Sequence, residues 1–400
     1  MPDFCRDSMK VAMTYLDNAA SAPVRESSLR AFEDACRVTG NPDSVHSQGQ
    51  AARAILDQAR EEIASFLGCE PVELIFTSGG TESVNLAIRG IFADRCLRST
   101  QRRGIVSSHL EHQAGLASTQ FLTDYQNAQL VAVEPEAGVI TPSAFQRALD
   151  GLDSPPALAS LMWVNNETGA ITDVAAIARL ANAASTPVHS DAVAALGKVP
   201  VDFKSSGLAA LSICGHKLGA PVGVGALVLR RDTDMQPAVL HGGEQERALR
   251  PGTTNHALAA AMAVAVREAL SELEQKSLLH RSWGERLFAG IVAEVPDAAI
   301  TIAAENRVPS TLHVQLPQCD SAALVFALDR LGVSVSSGAA CQAGVQGPSH
   351  VLLGMGYSEQ QAARGLRISF GHSTEEQDIE NFLAAFPAAY QQALAVTRVS

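Results

Sequence analysis

The sequence has no C-x-x-C pair, no apolar run of membrane-spanning length and no surplus of basic charge. Each absence removes a class of function. The seven cysteines, Cys5, Cys36, Cys69, Cys96, Cys214, Cys319 and Cys341, lie far apart in 400 residues. That is too few for a disulfide scaffold, and an odd number cannot all pair within one chain. The spacing disfavours a zinc ribbon, and a reducing compartment is the default. The longest apolar stretch, near Ala257 to Val266, runs into Arg267 and Glu268, short of the roughly 20 residues a membrane helix needs. Residues Met1 to Ala12 carry charges without an apolar centre, so they do not read as a signal peptide and are expected to fray. Lys and Arg total 30 against 42 Asp and Glu, a net charge of −12. A broad nucleic-acid surface needs clustered basic residues, so stable nucleic-acid binding is not expected. A local pocket for a small anion remains open. The expectation is a soluble, cytoplasmic protein with no membrane association. Tandem repeats and low-complexity linkers are also absent.

What is present is a core-forming composition, 46% hydrophobic and 18% charged, enough for one large or two to three ordinary domains. Helical and strand patterns alternate from Ser27 to about Arg267. Ala51 to Leu67 has apolar residues at helical spacing and stops at Gly68. Short apolar runs at Glu73–Thr77, Gly104–Ser108, Leu158–Val164, Pro187–Ser190, Leu208–Ile213 and Gly225–Arg230 read as buried strands. Strands separated by helices imply an α/β fold with a largely parallel sheet between helices. From Ala257 to about Val295 the chain is mostly helical. After Pro309 the order becomes strand, helix, Gly-rich loop, helix, strand, helix, a smaller α+β unit. We therefore divide the chain into a large domain, 26–268, and a small domain, 1–25 with 269–400.

Several segments carry chemistry. Ser78-Gly79-Gly80-Thr81-Glu82-Ser83 joins a strand to a helix. Free N–H groups and the dipole at a helix N-terminus bind phosphate well, and the plain alternative is that Thr81 caps the helix. Lys217 follows an apolar strand through Cys214-Gly215-His216. Desolvation there can deprotonate a lysine for Schiff-base chemistry, whereas an ordinary loop lysine points to water. Asp191 ends a strand at the edge where α/β sheets bind ligands. It can hold a pyridinium nitrogen protonated or simply cap a following helix. His109 and His112 are spaced for a metal on one helix, for stacking on a flat cofactor, or for solvent. Asn165-Asn166-Glu167-Thr168-Gly169 is a polar strand end or a turn. Cys341 sits among small residues, Ser336 to Gly344, on what reads as a mobile, accessible loop. That placement suits a nucleophile better than Cys69 or Cys319, which adjoin packing elements. Arg367 alternates with apolar neighbours on a strand, so it needs an anion, either a substrate carboxylate or a structural partner. Arg247 and Arg250, ahead of Pro251-Gly252-Thr253, form a second anion-friendly stretch.

The order of these segments, TSGGTES, EH, NNETG, an Asp-ended strand, GHK, GGEQERALRPGT and SSGAAC, resembles a cysteine desulfurase of the class V aminotransferase family, in its long-loop group. The resemblance runs from Tyr15-Leu16-Asp17-Asn18-Ala19-Ala20 to about Asp378. It implies a fold-type I homodimer that binds pyridoxal 5'-phosphate. It makes Lys217 the Schiff-base lysine, Gly80 and Thr81 the phosphate cradle with Cys214, Gly215 and His216 beside it, and Thr253 the residue reaching the phosphate from the other subunit. His112 is then stacked on the ring, Asp191 pairs with the ring nitrogen, Asn166 lies near the ring hydroxyl and substrate, and Arg367 holds the substrate carboxylate. Cys341, with Lys217 and His112, completes the catalytic set. The implied reaction takes sulfur from L-cysteine, releases L-alanine and leaves a persulfide on Cys341. A sulfur-acceptor protein, an iron–sulfur scaffold or a tRNA or cofactor thiolation enzyme, would then receive it. No metal is expected.

Two positions depart from the family. Ala194 stands where glutamine usually meets the ring hydroxyl, and Cys214 where serine usually meets the phosphate. Each loss removes a hydrogen bond worth about 1 kcal/mol net. Ala194→Gln and Cys214→Ser should therefore tighten the cofactor by about fivefold each. Titration of pyridoxal phosphate into apo-protein checks this, and unchanged affinity in both variants refutes it. Other readings are another class V enzyme such as a selenocysteine lyase or aminotransferase, a catalytically weakened scaffold, or a metal hydrolase built on His109, His112, His189 and Asp191.

Overall fold

The computed structural model describes residues 13–99, 101–237, 239–338 and 347–397. Its strands are β1 (Thr14–Tyr15), β2 (Leu74–Thr77), β3 (Gly104–Ser107), β4 (Gln129–Ala132), β5 (Leu158–Met162), β6 (Val188–Asp191), β7 (Ala210–Cys214), β8 (Gly225–Leu229), β9 (Ala299–Ile300), β10 (Thr311–Gln315), β11 (Val333–Ser334) and β12 (Gly365–Ser369). The described chain forms two compact units, one of residues 22–165 and 170–274, the other of 13–21, 166–169 and 275–397. The division falls at 22 and 275, where the sequence pattern set 26 and 269, and the turn 166–169 joins the second unit.

The larger unit holds a seven-stranded sheet in the order β2-β8-β7-β6-β5-β3-β4. Neighbours from β7 through β4 are parallel, and β8 runs against both β7 and β2. So β2, β3, β5, β6 and β7 all end at one edge, where β8 begins. These strands are short and buried along nearly their whole length, as expected of parallel strands covered on both faces. Helix Gly80–Arg98 packs on β5 to β8. Its Val84, Leu86, Ile88, Ile91 and Phe92 meet Ile75, Ile105, Leu158, Ala210 and Leu227 in one core. Burial of each large side chain stabilises by about 1.5–3 kcal/mol. The six strand readings of this region correspond to β2, β3, β5, β6, β7 and β8. Strand β4 was not read, because its half-exposed QLVA has neither the length nor the apolar run of its neighbours. The helical stretch after Ala257 divides at Glu272 into His256–Ser271 and Leu273–Glu294.

The smaller unit is built on the antiparallel sheet β12-β10-β9, with a separate parallel pair of β1 and β11. Strand alternation sorts its residues. Leu312 and Val314 of β10, with Leu366 and Ile368 of β12, join Trp283, Leu287, Phe382 and Phe386 in the core. The opposite face carries His313 and Arg367, register partners that are both buried. Among the described residues no helix is long and apolar enough to cross a membrane.

Candidate active site

In the larger unit the chemistry collects at the shared strand edge. Strand β2 ends at Thr77, and helix Gly80–Arg98 begins two residues after Ser78 with Gly79 as an N-cap that offers no side-chain hydrogen bond. Thr81 thus lies inside the first turn and does not cap it. Glycine lets this turn close on its surroundings. A Cβ on Gly80 would lie 2.6 Å from Val193 Cγ2, and one on Gly225 would lie 2.7 Å from the Gly79 carbonyl carbon. Gly225 in turn is the register partner of Cys214, so the helix start abuts the ends of β6 and β7.

Asp191 closes β6. It is 5% exposed, and its Oδ1 accepts from Val193 N at 2.9 Å. Residues 193–198 form turns, so Asp191 caps no helix. Its second oxygen takes no hydrogen bond among the described residues. Burial raises the carboxyl, while the Val193 N–H and the Lys217 charge draw it back; the net shift is upward. Lys217 lies just past β7, within the turn in which Gly215 N donates to Val224 O at 3.0 Å and Leu218 N to Gly215 O at 2.9 Å. Cys214 is buried and accepts from the Lys217 N–H. Burial raises its thiol despite that bond and the Lys217 charge. His216 is pushed down to about 4, by burial first and the Lys217 charge second, so it is neutral at physiological pH. Asp191, Cys214, His216 and Lys217 therefore share one electrostatic neighbourhood.

His112 is the N-cap of helix Gln113–Gln126, its Nδ1 accepting from Ala114 N at 3.1 Å. That bond fixes the ring's orientation and leaves Nε2 as the proton-bearing nitrogen. His109 lies outside the helix and is exposed. The two do not share a helical face, and no metal-binding cluster occurs among the described residues. His189 is buried with its ring nitrogens 2.9 Å from the hydroxyls of Ser160 and Ser212, and burial pushes it down to about 3. It is a satisfied core histidine.

Sequence reasoning missed Glu111. This carboxyl is 3% exposed, and its Oε1 accepts from Met162 N at 3.0 Å. Met162 is the register partner of Asp191. Burial lifts Glu111 well above its ordinary value of 4.5; the Met162 N–H opposes this and the Asp191 charge adds to it. The string EH contains it, but a glutamate next to a histidine reads as surface charge until its burial is seen. A carboxyl raised in the folded state contributes stability that is present below its unfolded pKa and lost as pH rises toward the folded one. Glu111→Gln removes this loss. Between about pH 5 and pH 8, the apo variant's melting temperature should fall less than the wild type's. Parallel curves would refute the assignment.

Arg250 is taken up by Glu82, at 2.8 Å, and Glu82 also accepts from Ser78 N at 2.6 Å. Burial raises Glu82, but Arg250 and Ser78 outweigh it and lower the carboxyl overall. Arg247 is exposed, and its Nη1 donates to Val72 O at 3.4 Å. Thr253 is exposed ahead of helix His256–Ser271.

The smaller unit holds the other sequence-predicted residues. Arg367 is 2% exposed. Its Nη1 donates to Asn166 O at 2.8 Å and its Nη2 to Asp17 Oδ1 at 2.6 Å. The structural ion pair foreseen for this arginine is thus present, yet Nε is buried with no hydrogen-bond partner among the described residues. Cys341 lies outside the described residues.

The larger-unit group fits pyridoxal phosphate on its own geometry. The helix start at Gly80 has no side-chain cap and suits a phosphate. The buried Asp191 carboxylate has one oxygen without a hydrogen bond among the described residues, matching a protonated ring nitrogen. Lys217, within electrostatic reach of Asp191, supplies an amine.

The profile of the family described as aminotransferase class-V matches residues 14–382. An IscS-like cysteine desulfurase of Mycobacterium tuberculosis is 41% identical over 383 residues, covering 95% of this chain and 97% of that protein. The cysteine desulfurase NifS of Azotobacter vinelandii is 35% identical, covering 96% and 94%. A solved NifS-like protein superposes with a TM-score of 0.85 at 30% identity, covering 94% of this chain and 98% of its own.

Proposed function

The chain belongs to the aminotransferase class-V family, and from that premise we propose that it is a pyridoxal-phosphate-dependent cysteine desulfurase with Cys341 as its sulfur carrier. The net reaction joins L-cysteine and the Cys341 thiol to give L-alanine and a Cys341 persulfide. The substrate Cβ–S bond breaks, an S–S bond forms, and the carbon is reduced as the sulfur is oxidised. The cofactor, when bound, supplies an electron sink for charge developing at the substrate Cα. Gly80 and Thr81 hold its phosphate, with Cys214, Gly215 and His216 alongside. His112 lies against its ring, and Asp191 keeps the ring nitrogen protonated. Lys217 would tether the cofactor, and its amine would move the proton at the substrate Cα. Arg367 and Asn166 bind the substrate carboxylate and its neighbourhood. The reading includes a cytoplasmic homodimer in which Thr253 serves the neighbouring subunit, and a sulfur-acceptor protein for iron–sulfur assembly or thiolation.

The observation that carries this reading is the buried Asp191 carboxylate at the end of β6, electrostatically joined to Lys217 after β7. Four of the described cysteines are poor candidates for that role. Burial pushes Cys69 and Cys319 up to about 12 and raises Cys96 and Cys214, which keeps these thiols protonated and poorly nucleophilic. The test is borohydride reduction of the holoenzyme followed by peptide mapping, with alanine and persulfide measured after L-cysteine is added. A pyridoxyl group on Lys217, with alanine matching sulfur released, is expected. No adduct at Lys217 would leave only a scaffold.

A further inference from the structure

Glu167 has no role in the scheme above, yet it is one of the most buried carboxylates of the smaller unit, at 3% exposure. Its surroundings single it out. Ser349 Oγ donates to its Oε2 at 2.5 Å, and His350 Nδ1 stands 4.0 Å from its Oε1. On the other side, a Cβ built on Gly338 would lie 3.3 Å from Glu167 Oε2 and 3.3 Å from His313 Nε2. Gly338 has φ +82°, a left-handed conformation that favours glycine. It is therefore wedged between a buried carboxylate and a buried imidazole.

Gly338 lies three residues before Cys341, and Ser349 eight residues after it. The chain on both sides of the cysteine thus closes on a single carboxylate. Further contacts tie this point to the residues proposed for the substrate. Ser336 exchanges two backbone bonds with Arg367, at 3.1 and 2.7 Å, and Gly338 N donates to Ser336 Oγ at 3.2 Å. Arg367 in turn donates to the carbonyl of Asn166, the residue next to Glu167. A buried carboxylate that only filled space would be costly. One that gathers two separate chain segments fixes where the segment between them starts and ends.

We propose that Glu167 is a positioning residue for the sulfur-transfer step, holding one flank of the Cys341-bearing segment through the Ser349 hydrogen bond and packing beside Gly338 on the other. The proposal rests on Cys341 being the sulfur carrier. Its test compares Glu167→Ala, Glu167→Gln and Ser349→Ala holoenzymes with the wild type. Two rates are read after rapid mixing with L-cysteine: the change in cofactor absorbance, and the appearance of persulfide on Cys341 by mass spectrometry of quenched samples. Glu167→Ala and Ser349→Ala should slow persulfide formation at least ~10-fold, within the ~10²-fold that misplacement by about 1 Å costs. Their absorbance change should stay within about twofold, since substrate entry does not use the Ser349 contact. Glu167→Gln keeps an acceptor for Ser349 and should recover most of the rate, which keeps the test alive if Glu167→Ala does not fold. Wild-type persulfide rates in Ser349→Ala and Glu167→Gln alike, with Glu167→Ala folded and equally fast, overturn the proposal. So does an equal slowing of both readouts, which marks a purely structural carboxylate. A wild type that makes alanine but no Cys341 persulfide overturns the carrier itself, and is told apart by needing no variant.

Discussion

Lys217→Ala should lose at least ~10³-fold in alanine release, the loss expected when a covalent nucleophile is removed. The lysine sits on a turn fixed by backbone bonds of Gly215 and Leu218, so side-chain truncation leaves that turn intact. It is half-buried, and the melting temperature of the apo-protein should change little. What disappears is the amine that tethers the cofactor and carries the proton at the substrate Cα. Lys217→Arg sharpens the point. A guanidinium keeps the positive charge near Asp191 but stays protonated and forms no covalent link. If charge alone mattered, arginine would rescue. We expect it to be as inactive as alanine, with borohydride leaving no pyridoxyl label on either variant. Turnover within about tenfold of wild type in Lys217→Ala would remove Lys217 from the mechanism.

The elements nearest this lysine are also the ones most legible in the sequence. Strands β5, β7 and β8 are short, mostly apolar runs closed by small or polar residues, and such runs read as strands without tertiary information. Asp191 ends β6 and Lys217 follows β7, so strand recognition already places both at one sheet edge. Pairings between distant segments are less legible. Nothing local links Thr14–Tyr15 to Val333–Ser334, nor assigns residues 166–169 to the unit that holds Arg367. Glu111 and Glu167 were invisible for the same reason. Each stands in a string whose neighbour, His112 or Asn166, drew the functional reading. A glutamate's burial depends on which strands close over it, here β5 for Glu111 and the chain at Ser349 for Glu167. Arg367 was half legible. The alternation of GLRIS shows that it points away from its apolar neighbours, but Asp17, 350 residues away, emerges as its partner only in the fold.

Cys341→Ser should abolish the persulfide altogether. A serine hydroxyl is not appreciably ionised at neutral pH, and it cannot form the S–S bond that carries the sulfane sulfur. Asp191, His112, Lys217 and the helix start at Gly80 are untouched, so the cofactor absorbance should respond to L-cysteine as in the wild type. Alanine release should nonetheless fall by at least ~10³-fold, because in this reaction the Cys341 thiol takes the sulfur as the Cβ–S bond breaks. The remaining cysteines should not substitute. Cys69, Cys96, Cys214 and Cys319 have thiols raised by burial. Cys36 is exposed at the end of helix Glu26–Cys36, so it is the one to watch among the described cysteines. Peptide mapping after exposure to ³⁵S-cysteine checks the outcome directly. Label on Cys341 in the wild type and none on any cysteine of the variant is the expected pattern. Wild-type alanine production by Cys341→Ser would shift the chemistry toward a class V reaction that needs no thiol nucleophile, and label reappearing on Cys36 would move the carrier there.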